Sequence, residues 1–171
     1  MIQTAEIINQ PYSGEYDERI YDNISPWNSS CWTWVKFTEG NKEWCGQFRG
    51  ERINVALSLS SKTILILTSD YLFAIDINSG DLINSKEQTG YINLTAIPSG
   101  DFLVSDYYSI EKISKDLMNL DKIPTPIEMD NIKFQYWQDE ILYFTCDEFL
   151  NYNNENIKMI YNSKNNEVTI F

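Results

Sequence analysis

The chain has 171 residues, 43% of them hydrophobic and 14% aromatic, which is enough apolar area for one folded domain and argues against global disorder. Its 25 acidic residues against 13 basic ones leave a net charge of −12, a surface that repels phosphates and anionic lipid and attracts basic proteins. With no histidine, the chain lacks Ser-His and Cys-His nucleophilic designs, histidine metal sites and the commonest general base.

Residues 1–30 are polar and acidic, with Pro11, Gly14 and Pro26, and read as an arm packed on the domain. Within the arm, Ala5–Asn9 reads as a short strand or helix and Tyr16–Asn23 as a helical turn. The first ten residues have neither the basic region nor the apolar run of a secretory signal, and no stretch approaches the roughly 18 apolar residues of a membrane span. A cytoplasmic protein is therefore expected.

Residues 31–50 are a Trp-rich hairpin, with strands at Cys31–Thr38 and Glu43–Arg49 joined by a turn at Gly40 and Asn41. Alternation puts Trp32 and Trp34 on one face and Val35 and Phe37 on the other, so both faces are apolar. The rings serve either as core or as an exposed aromatic binding surface. The three cysteines fall in no C-x-x-C pair, and Cys31 and Cys45 are placed to face each other across the hairpin. In a reducing compartment all three are expected as buried thiols.

From residue 51 the chain reads as strands at Ile53–Leu59, Thr63–Ser69, Leu72–Ile77, Asp81–Ser85, Ile92–Ile97, Phe102–Ser105 and Ile110–Ser114. Leu117–Asp130, with Pro124 and Pro126, reads as a loop, followed by strands at Ile132–Trp137, Ile141–Cys146, Ile157–Tyr161 and Glu167–Phe171. Ile66–Tyr71 recurs as Phe102–Tyr107 and again as Tyr143–Glu148, an interval of about 40 residues that suits a four-stranded propeller blade. Each copy follows a strand and a turn, and another strand comes after it. The expected fold is all-β: an incomplete, half β-propeller or stacked antiparallel β-meanders, with three to four blade-like repeats in a single domain.

Thr63–Ile83, with its Ala74-Ile75-Asp76 and Gly80 hairpin, resembles the repeat of quinoprotein-type β-propellers, though it lacks the Trp that closes such a blade. Asp76, Asn78, Gly80 and Glu87 also fall at calcium-loop intervals. Asp81 stands where that loop needs glycine, so the segment reads as a hairpin turn with Gly80 at positive φ, and neither metal nor cofactor is expected.

The repeat turns carry the candidate contact residues: Asp70, Tyr71, Asp106, Tyr107, Tyr108, Asp147 and Glu148. Gathered by a repeat fold, they make an acidic, aromatic surface suited to Lys and Arg of a partner. The alternative is that each aspartate ties its own turn by accepting backbone N–H groups. Trp44-Cys45-Gly46-Gln47-Phe48-Arg49-Gly50 is similar to segments of immunity-protein families from polymorphic and contact-dependent bacterial toxin systems. That resemblance implies a non-catalytic protein that binds a cognate basic toxin, such as a nuclease, and occludes its active site, with no nucleic-acid or membrane partner. The alternative is a propeller-like scaffold or regulatory module that binds an endogenous protein.

Overall fold

Alternating burial along strand residues 32–37 and an unbroken apolar run over Ile64–Leu67 are the two ways this sequence makes strands: one face covered, or both. The computed structural model describes residues 1–22, 29–87, 90–114, 116–149 and 156–171. Among them every regular element is a strand, arranged in four separate four-stranded sheets. The chain divides into two compact units, Met1–Gly90 and Tyr91–Phe171.

In the first unit, β1 (Thr4–Ile8), β2 (Asp17–Tyr21), β3 (Trp32–Glu39) and β4 (Lys42–Arg49) form a sheet in the order β1-β3-β4-β2. Its β2 lies parallel to β4. The supposed N-terminal arm thus supplies both edges of this sheet. Where a helical turn was expected there is β2, because Tyr21 stacks on Phe48 and its hydroxyl donates to the Gly80 carbonyl, while Arg19 donates to the Ser79 carbonyl at 2.8 Å. Asn23 and Pro26 lie outside the described residues.

The second sheet of this unit is an antiparallel meander of β5 (Arg52–Ser58), β6 (Thr63–Thr68), β7 (Tyr71–Asp76) and β8 (Leu82–Glu87). Val35, Phe37 and Phe48 of the first sheet share one core with Ile64, Ile66, Phe73 and Ile75 of the second. The chain start joins the two sheets, since Ile2 N–H donates to the Ile77 carbonyl and Gln3 N–H to that of Thr38, both at 2.8 Å.

The second unit holds two further antiparallel meanders: β9 (Asn93–Ala96), β10 (Phe102–Ser105), β11 (Ile110–Ile113) and β12 (Leu120–Lys122), then β13 (Met129–Gln138), β14 (Ile141–Glu148), β15 (Ile157–Asn162) and β16 (Glu167–Ile170). The expected loop at Leu117–Asp130 therefore contains a strand, β12, and the start of β13. Residues 117–119 and the stretch around Pro124 and Pro126 stay irregular, the latter as prolines that donate no hydrogen bond require. Leu103, Ile110, Ile132, Leu142, Phe144, Met159 and Tyr161 build its core.

Polar side chains stitch β9 to β13 where β13 is irregular. Asn93 donates to the Ile132 carbonyl and to Ser105 Oγ at 2.8 Å each and accepts from Phe134 N–H at 3.3 Å. Trp137 Nε1 donates to Thr95 Oγ1 at 2.8 Å. Asn93→Ala removes three bonds at once and is expected to cost about 2 kcal/mol, the penalty for stranding part-buried polar groups. Urea unfolding measures it, and a loss below about 0.5 kcal/mol would show that water replaces the amide without penalty.

Candidate functional site

The three repeat aspartates occupy the same place in three meanders, at the end of the second strand and before the third. Asp70 is in the first unit, Asp106 and Asp147 in the second. Their carboxylates are engaged internally. Asp106 Oδ1 accepts the backbone N–H groups of Tyr108 at 2.8 Å and Ser109 at 2.7 Å, tying its own turn. Asp70 accepts Ser29 N–H and Ser69 Oγ–H, both at 2.7 Å. Asp147 accepts Asn156 N–H at 2.8 Å and the Asn131 amide at 2.9 Å. Burial pushes the Asp70 carboxyl upward, but hydrogen bonds from Ser69 and Ser29 and the charge of Arg49 outweigh it and leave it below the usual aspartate value. The Asn156 N–H, then the Asn131 amide, hold Asp147 low as well.

Asp76 plays the same part in the β7–β8 turn. Ser79 and Asn78 N–H groups donate to its Oδ1 at 3.0 and 2.8 Å and lower its pKa, and Gly80 sits at φ 71° as the hairpin reading requires. All three depressed aspartates stabilise the fold fully above the unfolded value of about 4, and the contribution is lost as pH falls through their folded values. The protein is therefore expected to lose stability as the pH falls below about 4, with a smaller loss in Asp147→Asn. Urea midpoints across that range test this, and an identical slope in the variant would remove Asp147 from the account.

The aromatic members of the predicted site separate by burial. Tyr71 is 3% exposed and packs with Phe73 at 5.2 Å between ring centroids, so its ring is core and cannot touch a partner. Tyr107 and Tyr108 are half exposed, and Tyr108 meets Phe149 edge to face at 5.8 Å. Beside this pair runs a groove of about 530 Å³ whose lining includes Tyr108, Phe149, Pro126 and Ile127 together with the buried Ile123 and Met129. A bond from Phe149 N–H to the Glu128 carbonyl at 2.8 Å holds the two rims together. Glu148 lies just before Phe149 on the same turn and is partly exposed.

Sequence reasoning missed Phe149 and the 123–129 strip. A signal for Phe149 exists: aligned on their aspartates, the second and third repeats place Tyr108 and Phe149 at the same position, two residues after Asp106 and Asp147. The strip leaves no such trace, because its prolines mark only irregularity.

The Trp-rich hairpin is explained by packing. Phe37 stacks on Trp44 at 4.3 Å, and the Phe37 and Phe48 rings lie where a Cβ on Gly46 would come within 2.9 and 2.7 Å of them. Arg49 covers the Trp32 ring at 3.7 Å and forks onto Asp22 at 2.7 and 3.1 Å. Cys45 pairs with Lys36, and Cys31 lies beside Gly50, so the two thiols do not face each other across the hairpin. All three cysteines are free, and burial pushes the Cys45 and Cys146 thiols up to about 11. A second hollow, at Asp17, Arg19, Glu39, Lys42, Glu43 and Trp44, is ionically self-satisfied in part: Lys36 pairs with Glu43 at 3.3 Å and the chain amine with Glu39.

Among the described residues no group of three or more Cys, Asp or Glu side chains is arranged to hold a metal ion, and no helix is long and apolar enough to cross a membrane. No family model matches the chain, and no curated protein sequence matches it.

Proposed function

We propose that this is an immunity protein: a cytoplasmic, non-catalytic binder that neutralises a basic protein toxin by covering its active site. The observation that carries the reading is the aromatic rim of the second unit. Tyr107, Tyr108 and Phe149 stand 50%, 57% and 41% exposed on two turns whose aspartates are internally clamped. Rings held on rigid turns lose little entropy on binding and are the residue type that dominates protein interfaces.

Charge supplies the second half. The unit that carries the rim has more than twice as many acidic as basic side chains, a field that accelerates encounter with a cationic partner. In this scheme the aspartates shape the turns and contribute field, while the rings provide the contact energy.

Co-expression with the toxin domain encoded by the adjacent upstream gene tests the reading. Growth should be rescued by the wild-type chain and not by Tyr108→Ala/Phe149→Ala, with a stable complex on mixing whose association rate falls about tenfold or more as salt is raised. Growth arrest in the presence of the folded wild-type chain would remove the toxin reading, and a salt-independent association rate would remove the acidic field from it.

A further inference from the structure

We infer that the groove between the Tyr108–Phe149 pair and the Pro126–Ile127 strip is a receptor for one extended segment of the partner protein, carrying a bulky apolar side chain next to a lysine or arginine. This rests on the protein-binding reading and narrows it to a peptide chemistry.

Three observations carry it. The floor is made by Ile123 and Met129, which are 3% and 2% exposed and belong to the unit's core, so an apolar side chain seated there continues an existing hydrophobic surface. The lining adds two aromatic rings, a proline and an isoleucine, all of them stiff, and the volume of about 530 Å³ admits a large side chain with its flanking backbone.

The two charged side chains of the lining, Lys122 and Glu128, have different surroundings. Lys122 stands directly opposite Glu111 in the β11–β12 ladder, so a carboxylate already neighbours it. Glu128 is exposed, and no ion pair among the described residues engages it. An uncompensated carboxylate at the lip of an apolar groove favours a cationic group on whatever enters, and disfavours an acidic one. Acidic peptides and nucleic-acid strands are thereby disfavoured as occupants.

The test uses the full chain and three short fluorescein-labelled peptides: one alternating lysine with leucine around a central phenylalanine, a second with serine for every apolar residue, and a third with glutamate for every lysine. Fluorescence anisotropy should show saturable binding of the first, at least about tenfold tighter than either of the others. Glu128→Lys and Ile127→Asp, both substitutions of incompletely buried residues, should each weaken the first peptide by about tenfold or more with unchanged circular dichroism, while Tyr136→Ala, on a different exposed stretch, should leave it unaltered.

Equal binding of the serine peptide would show a charge effect without a groove. Equal binding of the glutamate peptide, indifference to both groove variants, or no binding of any peptide would each overturn the inference. Rescue of growth combined with peptide failure would overturn the groove inference and leave neutralisation standing. Peptide binding without rescue would do the opposite.

Discussion

Phe48→Ala is expected to cost about 4 kcal/mol of unfolding free energy, the range found for deleting a buried aromatic ring and leaving its cavity. Phe48 is fully buried, lies parallel to Tyr21 at 4.5 Å, and meets Phe37 and Phe73 edge to face at 6.3 and 5.2 Å. It touches three strands besides its own, on both sheets of the first unit, so neighbouring side chains cannot collapse into the space without dragging a ladder with them. The loss of the Tyr21 stack also loosens β2, which is otherwise held by its parallel ladder with β4 and by bonds to the β7–β8 turn. Phe48→Leu keeps most of the volume and should cost about 1.5 kcal/mol or less. Urea unfolding followed by circular dichroism measures both, and a cost for alanine no greater than for leucine would mean that the ring is not the joint between the sheets.

Gly50→Ala should cost about 3 kcal/mol, for two reasons that add. The residue holds φ at 107°, outside the regions open to side-chain-bearing residues, which costs about 1–2 kcal/mol or more. A Cβ there would also lie 2.6 Å from Thr68 Oγ1 and 2.9 Å from the Asp70 backbone nitrogen. Thr68 cannot swing away, because its hydroxyl donates to the Arg49 carbonyl at 2.7 Å and accepts from Tyr71 N–H at 3.0 Å. Overpacking against fixed atoms adds about 1–3 kcal/mol. Gly14→Ala is the control: φ is 81° but nothing lies within 4 Å, so the backbone penalty stands alone and the cost should be about 1 kcal/mol. Equal costs at the two positions would show that the close approach to Thr68 is relieved by movement.

Much of the fold was legible because the strands that build the cores announce themselves. Ile64–Leu67 and Phe102–Val104 are short apolar runs bounded by turn residues, and each became a strand buried on both faces. The turns ahead of the three repeat strands also agree with one another, as Lys62, Gly100 and Asp139 all take positive φ. The strands that escaped notice are edges. Asp17–Tyr21 is exposed at four of five positions, and Leu120–Lys122 is three residues long beside prolines. Such strands exist through backbone pairing with a neighbour already in place, and that pairing leaves no pattern in their own side chains.

The candidate site divides along the same line. Asp70, Asp106 and Asp147 stand out as a repeat, but only Asp106 ties its own turn; Asp70 accepts from Ser29 and Asp147 from Asn131 and Asn156, while Tyr71, adjacent to the first of them, is core. Tyr107 and Tyr108 were found and are exposed. Phe149 and the Ile123–Met129 strip were not singled out, because they meet Tyr108 only when brought together from distant points of the chain.

Composition and periodicity alone determined that this chain is all-β, strongly acidic and built on a repeat of about 40 residues, since charge is a sum over residues and strand period is local along the chain. Only the tertiary structure decided which aromatic rings face solvent, which carboxylates are already engaged, and where an apolar groove opens beside Tyr108. Those are properties of neighbours in space, and a ring's surroundings depend on strands and turns far from it in the chain, whose arrival no local pattern encodes.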